Sequence, residues 1–293
     1  MSPAIRRSVM NIQLNQDTKT FAGRNVSYTG TVKKKNINVL LLGDTGEEKS
    51  IFINSIFNYL ECGNFYDTER GKLTIVTPTE FTMSDNNGNI KTIHVRTTDN
   101  RSQLFGPGDV PTQFRSFVLN SGGYKIRLID TPGMGDTGDI NQDKIICENI
   151  LTYISGLCEL HAICYLCKPQ QADAIPYISQ IINNLHGDIL SNFVFVFTGI
   201  QAKNYIASQT IQMSNWVAAQ SSDKSAYFKF GLNNNKFCFE NESFRYLAAI
   251  QQGVQLSTEV RQKAITSWNH DQSEFFRYDN LFIVFLILHV QKK

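Results

Sequence analysis

The sequence predicts an α/β fold in three layers: a mostly parallel sheet with helices on both faces and an added β-hairpin. Three observations carry this. Residues 37–43, 161–167 and 192–198 are short, nearly continuous apolar runs, the pattern of strands buried on both faces. Between such runs lie segments with helical spacing, as in Phe52, Ile53, Ile56, Phe57 and Leu60, which form one face of an amphipathic helix. Strands alternating with helices imply parallel pairing through right-handed crossovers.

The elements follow in order. Residues 1–36 show no sustained periodicity and read as a flexible arm. The run INVLLLG, a short glycine-containing loop and the helix beginning near residue 50 make the opening strand–loop–helix unit. Residues 73–97 read as a hairpin around Asn87-Gly88, a strong turn pair. A second hairpin joins 113–119 to 125–130 around NSGGY. Helices are expected at about 141–157, 174–186, 207–220 and 241–251, with strands at 161–167, 192–198 and 236–239. Residues 37–255 thus form one domain. Residues 256–293 read as a C-terminal extension with a truncated or altered end, finishing in the apolar run LFIVFLILHV. That run is too short to cross a bilayer, which takes about 20 helical residues, so no transmembrane segment is expected.

With 28 basic and 26 acidic residues among 293, net charge gives no reason to expect nucleic acid or an anionic membrane as partner. The Lys33–Lys35 run is read as a solvated strand entrance. The N-terminus has no apolar signal region, so six reduced cysteines and a cytoplasmic location are the expectation. Cys164 and Cys167 have CxxC spacing, but on a strand they point to opposite faces and cannot share a metal. His161 and His186, at element ends, read as structural, and Arg115 as a sheet-edge residue.

The chemistry concentrates in GDTGEEKS: Gly43, Asp44, Thr45, Gly46, Glu47, Glu48, Lys49 and Ser50. It follows the P-loop pattern G-x-x-x-x-G-K-[ST] in the required place, after a buried strand and at a helix start. Backbone N–H groups and the helix dipole there favour phosphate, Lys49 reaches the β- and γ-phosphates, and Ser50 ligates Mg²⁺. One position departs: Glu48 stands where the pattern has glycine, bringing a carboxylate close to the phosphates unless it turns to solvent. LIDTPGMGDT adds an acid at a strand end, Asp130, suited to the Mg²⁺ shell, and Gly133, whose N–H faces the γ-phosphate. Thr112, before the strand paired with KIRLID, suits a threonine closing over Mg²⁺, or is a simple strand start. The whole is a three-layer P-loop nucleotide-hydrolase fold.

These motifs resemble the G domains of septins and GIMAP-type immune GTPases, and a group of animal G-domain proteins in particular. The likeness covers roughly residues 37–270 and is most specific at 37–60 and 106–143. It implies GTP or GDP as ligand, Mg²⁺ as cofactor and a homodimer across the nucleotide face. On the base side it points to Thr198, Gly199 and Asn241. Asn241 is equally suited to capping the following helix. After Thr198 the chain reads Gly199-Ile200-Gln201-Ala202, without the carboxylate that selects guanine. Met134 follows the glycine where many GTPases have glutamine, so hydrolysis is expected to be slow or partner-stimulated and no catalytic residue is assigned. Three functions stand: a Mg²⁺-dependent GTP switch, a pseudo-GTPase interaction module without nucleotide, and a base-indifferent NTPase.

Overall fold

The structure is a computed structural model that describes residues 18–21, 24–27, 35–43, 48–71, 73–97, 102–104, 114–121, 124–134, 140–167, 180–181, 184, 193–199 and 236–275. Its centre is β3 (Lys35–Gly43), in a seven-stranded sheet of order β11–β10–β9–β3–β8–β7–β6. β3 pairs in parallel with β8 (Tyr124–Asp130) and β9 (Ala162–Cys167). Parallel pairing continues through β10 (Phe193–Thr198) to β11 (Lys236–Phe239). On the other side β7 (Arg115–Ser121) and β6 (Ser102–Leu104) run antiparallel. This is the expected mostly parallel sheet of a three-layer α/β P-loop fold.

The apolar run of β3 is explained by burial on both sides. Val39 and Leu41 pack beneath α1 (Glu48–Cys62), while Leu40 and Leu42 pack against α3 (Ile140–Ser155) on the opposite face. Cys164 and Cys167 fall into these two different clusters, so the CxxC spacing joins neither a metal nor a disulfide; both thiols are buried and reduced.

α1 departs from the amphipathic expectation. It is buried nearly all round: Phe52, Ile53, Ile56 and Phe57 meet the sheet, and Ile51 and Tyr59 meet a further cluster. That cluster is built by α2 (Phe65–Arg70), the hairpin β4 (Thr79–Ser84) and β5 (Ile90–Val95), α4 (Glu242–Gln251) and α5 (Thr258–Phe275). Two buried polar residues on α1 make the covering possible. Asn54 accepts from the N–H groups of Val76 and Thr77 and donates to the Thr77 carbonyl. Asn58 pairs with the Thr74 backbone in both directions. They satisfy an irregular strip, residues 74–77, that the sequence reading placed in the hairpin's first strand. The hairpin proper starts at Thr79 and turns at Asp85–Asn89, where the Asp85 carboxylate accepts from the Asn87 and Asn89 N–H groups.

α5 packs on the core. Read as part of an extension beyond residue 255, it contributes Ala264, Ile265 and Trp268 to the cluster over α1, and Phe275 to the sheet-facing core. Its Asp271 is fully buried and accepts from the N–H groups of Glu240 and Asn241 and from the Tyr59 hydroxyl at 2.8, 2.8 and 3.0 Å. One carboxylate thereby ties α1, the end of β11 and α5 together. In the expected arm, β1 (Thr18–Phe21) and β2 (Arg24–Ser27) pair as a small antiparallel hairpin. The expected helix at 207–220 and the run 281–290 lie outside the described residues, as does the helix at 174–186 apart from Gln180, Ile181 and Asn184.

Replacing Asp271 by alanine removes the acceptor of the Glu240 and Asn241 N–H groups and of the buried Tyr59 hydroxyl. Asp271→Ala is expected to cost about 3 kcal/mol, read from urea unfolding; a loss below about 0.5 kcal/mol would show that the network does not bind these elements together.

Candidate functional site

Gly43 ends β3, and two features of its position shape the site. A Cβ there would lie 2.6 Å from the Leu166 carbonyl oxygen of the neighbouring strand, closer than any side chain tolerates. Its own carbonyl accepts from Lys49 Nζ and from the Met134 N–H, each at 3.2 Å. The lysine is 6% exposed and folds back over the strand end from which the loop departs. Ser50 stands beside it in the first turn of α1, half-buried. Asp44, Thr45, Gly46 and Glu47 lie outside the described residues, as does Thr112.

The β8 end is fitted to the same point. Register places Asp130 beside Leu41 of β3 and opposite Arg115 of β7. Thr131 anchors the following turn by donating its hydroxyl to the Leu41 carbonyl at 2.8 Å. Gly133 follows, half-buried, and Met134 is sealed in the core with its sulfur near Cys147 Sγ. Met134 therefore cannot face a reacting water. Asp130 Oδ1 is shut off from solvent and has no partner among the described residues. Burial pushes the carboxyl up to about 6, against the opposing pull of the Lys49 and Arg115 charges. A buried acceptor left open next to a buried lysine is a place for a cation or a donor-bearing ligand.

On the far side, the ends of β10 and β11 meet where the Gly199 N–H donates to the Phe239 carbonyl at 3.0 Å. Gly199 takes φ +69°, a conformation that favours glycine. Thr198 Oγ1 is buried without a partner. Asn241 sits at the N-cap position of α4 but makes no capping bond. It is fully buried in the left-handed region at φ 57°, and both its Oδ1 and Nδ2 lack partners. The capping reading of Asn241 thus gives way to one in which its amide is held open, its backbone fixed by Asp271. The two histidine readings divide: His161 is structural, its Nδ1 accepting from the Asn38 N–H at 3.1 Å, and His186 lies outside the described residues.

Glu48 behaves differently from expectation. It does not turn to solvent: its carboxylate meets Arg245 of α4 at 2.7 Å, and its Oε1 lies 3.9 Å from where a Cβ on Gly199 would be. Both side chains of the pair are 14% exposed. Arg245 is itself held by the Phe81 ring, 5.1 Å from its guanidinium carbon, and by Glu242 at 3.9 Å. Sequence reasoning missed Arg245; a charge one turn into a helix carries no signal of a partner 197 positions away.

No protein-family model and no curated protein matches the chain. Solved structures similar to it include Toc33 from Arabidopsis thaliana in complex with Mg²⁺ and GMPPNP, with 14% identity, 82% of this chain and 80% of that chain covered, and a TM-score of 0.45. The G domain of the T. maritima FeoB iron transporter is similar at 12% identity over 80% and 99% of the two chains, TM-score 0.36. A bacterial dynamin is similar at 11% identity over 100% and 51%, TM-score 0.39. At this distance the functional reading rests on the site's own residues. Among the described residues, no helix is long and apolar enough to cross a membrane.

The folded value of Asp130 lies above its ordinary 3.8, so the ionised group opposes folding above about pH 6 and the penalty shrinks as pH falls towards 4. Asp130→Asn is expected to stabilise the protein by about 1–3 kcal/mol at pH 7.5, with a smaller gain at pH 4.5, in paired urea melts. Equal or lower stability at pH 7.5 would mean that the carboxylate is already satisfied in the folded protein.

Proposed function

We propose that the chain is a GTP-binding protein of the septin/GIMAP-like branch, a Mg²⁺-dependent nucleotide switch with slow or partner-stimulated hydrolysis. The observation that carries this is the open, solvent-sealed oxygen of Asp130 set beside buried Lys49 at the end of the P-loop strand. Neither the core nor any structural pairing uses that oxygen, whereas Mg²⁺ chemistry requires an acid there. The open Asp130 oxygen and the Ser50 hydroxyl suit the ion; they would hold it together with Thr112. Bound there with a triphosphate, Mg²⁺ supplies neutralisation of charge on the phosphate oxygens.

The protein's own residues divide the remaining work. Lys49, now folded on the Gly43 carbonyl, turns to the phosphates. The Gly133 N–H meets the terminal phosphate. Movement of that phosphate is felt along Met134, whose N–H shares the Gly43 carbonyl with Lys49. The open Thr198 hydroxyl and Asn241 amide, with Gly199 between their strands, supply donors and an acceptor for a purine edge, as a buried amide demands. Slow turnover follows from Met134, which offers no group to orient water. A homodimer across the nucleotide face and a cytoplasmic site of action belong to the same proposal.

One observation favours a second reading. The Glu48–Arg245 bridge ties the first residue of α1 to α4, and a carboxylate so held at the glycine position suits an interaction module that takes no nucleotide. The absence of a carboxylate in residues 199–202 leaves room for a base-indifferent NTPase.

Calorimetric titration with GTP, GDP and ATP in Mg²⁺ separates these. Micromolar or tighter binding of GTP and GDP, without ATP, is expected, together with at least about a hundredfold loss in Lys49→Ala, roughly 2.7 kcal/mol. Equal affinity for ATP would favour the base-indifferent enzyme, and silence with all three would leave the interaction module.

A further inference from the structure

A carboxylate at the position before the P-loop lysine brings negative charge towards a ligand that is itself a polyanion. In this chain that carboxylate is bound. Arg245 reaches Glu48 from α4, with Nη2 and Oε1 2.7 Å apart. The contact is largely buried, where ion pairs are screened far less than on an open surface. Arg245 is not a loose surface cation. Its guanidinium lies over the Phe81 ring of the hairpin and within 3.9 Å of Glu242, and its helix is fixed at its start by the bonds from Asp271 to Glu240 and Asn241. The arginine is thus in position before any ligand arrives. The pairing also has a direction: it draws the Glu48 carboxylate along the side of Gly199, towards the base-side wall, while Lys49, the next residue, folds onto Gly43.

Resting on the nucleotide reading above, we propose that Arg245 is a positioning residue for the triphosphate site. It neutralises Glu48 and holds that carboxylate against the base-side wall, so that a P-loop without its glycine still accepts phosphate. Arg245 touches no phosphate in this scheme; it acts through Glu48. Loss of Arg245 frees a buried carboxylate beside the lysine that the phosphates need. The cost then falls on phosphate binding and depends on Glu48 being charged.

That dependence is the test. Mg²⁺·GTP affinity is measured by calorimetry for the full chain and for Arg245→Met, Glu48→Gln and the double variant. Methionine keeps an unbranched stem over Phe81 and removes only the charge. A folded state is verified for each by circular dichroism, and Arg245→Lys, which restores a cation, serves as a second variant. Arg245→Met is expected to weaken GTP about tenfold, or ~1.4 kcal/mol, and Arg245→Lys to recover most of that loss. In the Glu48→Gln background the same Arg245→Met change is expected to cost less than about twofold. An equal loss in both backgrounds would overturn the proposal, since Arg245 would then act without Glu48. Tighter binding in Arg245→Met would overturn it in the other direction, marking the bridge as a barrier to nucleotide. Binding by Glu48→Gln but not by the natural chain would also overturn it, while sustaining the nucleotide site. If neither the natural chain nor any variant binds, the nucleotide reading itself fails.

Discussion

The carbonyl of Gly43 is the point on which the site depends. It lies at the end of a strand sealed on both faces, so the strand cannot shift without opening two cores. The same carbonyl gathers Lys49 from the helix that follows and the Met134 amide from the chain leaving β8. A backbone oxygen can accept two donors, one on each lone pair, and here the two belong to the helix that follows β3 and to the chain leaving β8. A Cβ on this residue would press on the Leu166 carbonyl oxygen, so glycine is required at this position for space rather than for flexibility.

A second constraint sits behind the base-side wall. Asp271 is anionic chemistry placed in a core, and it is tolerated because backbone and hydroxyl donors surround it. Its effect is to fix the turn between β11 and α4, and with it Asn241 in a left-handed conformation that costs a non-glycine residue about 1 kcal/mol or more. An orphaned, fully buried amide in strained backbone is destabilising on its own terms. Such a residue persists where the surrounding structure over-determines it, and α5 supplies that determination. The helix assigned from sequence to an extension is therefore part of what shapes the candidate pocket.

Most of the sheet was legible because burial on both faces writes itself as continuous apolar runs. The end of β3 at Gly43, the helix that begins at Glu48 and the end of β8 at Asp130 were legible because strand ends and glycine spacing are local. What escaped was non-local. α5 carries a weak pattern: its buried face is Ala264, Ile265, Ser267, Trp268, Asp271 and Phe275, half of it small or polar, because it meets a network as much as a core. α1 looked amphipathic from its apolar spacing, yet its polar Asn54 and Asn58 are buried against the irregular strip after α2. Residue type could not separate a base-side Asn241 from a cap, since asparagine serves both; in the fold it holds the N-cap position without a capping bond, its amide unpartnered among the described residues.

The partner of Glu48 shows how a local departure from a motif can be answered at a distance. Read alone, the glutamate at a glycine position argues for a lost site. In the fold, its charge meets Arg245, and Arg245 is held by an aromatic ring and a second acid. The result is one cation set between two acids, at the starts of α1 and α4, with Lys49 next in sequence to the first of them. Coulomb energies among such groups are several-fold larger in a partly buried seam than in water, so the sign of each residue matters less than whether its counter-charge is already in place. A motif scored letter by letter counts Glu48 as damage; the same letter, scored with its partner, describes a site whose neutralisation has moved from the loop to the helix beside it.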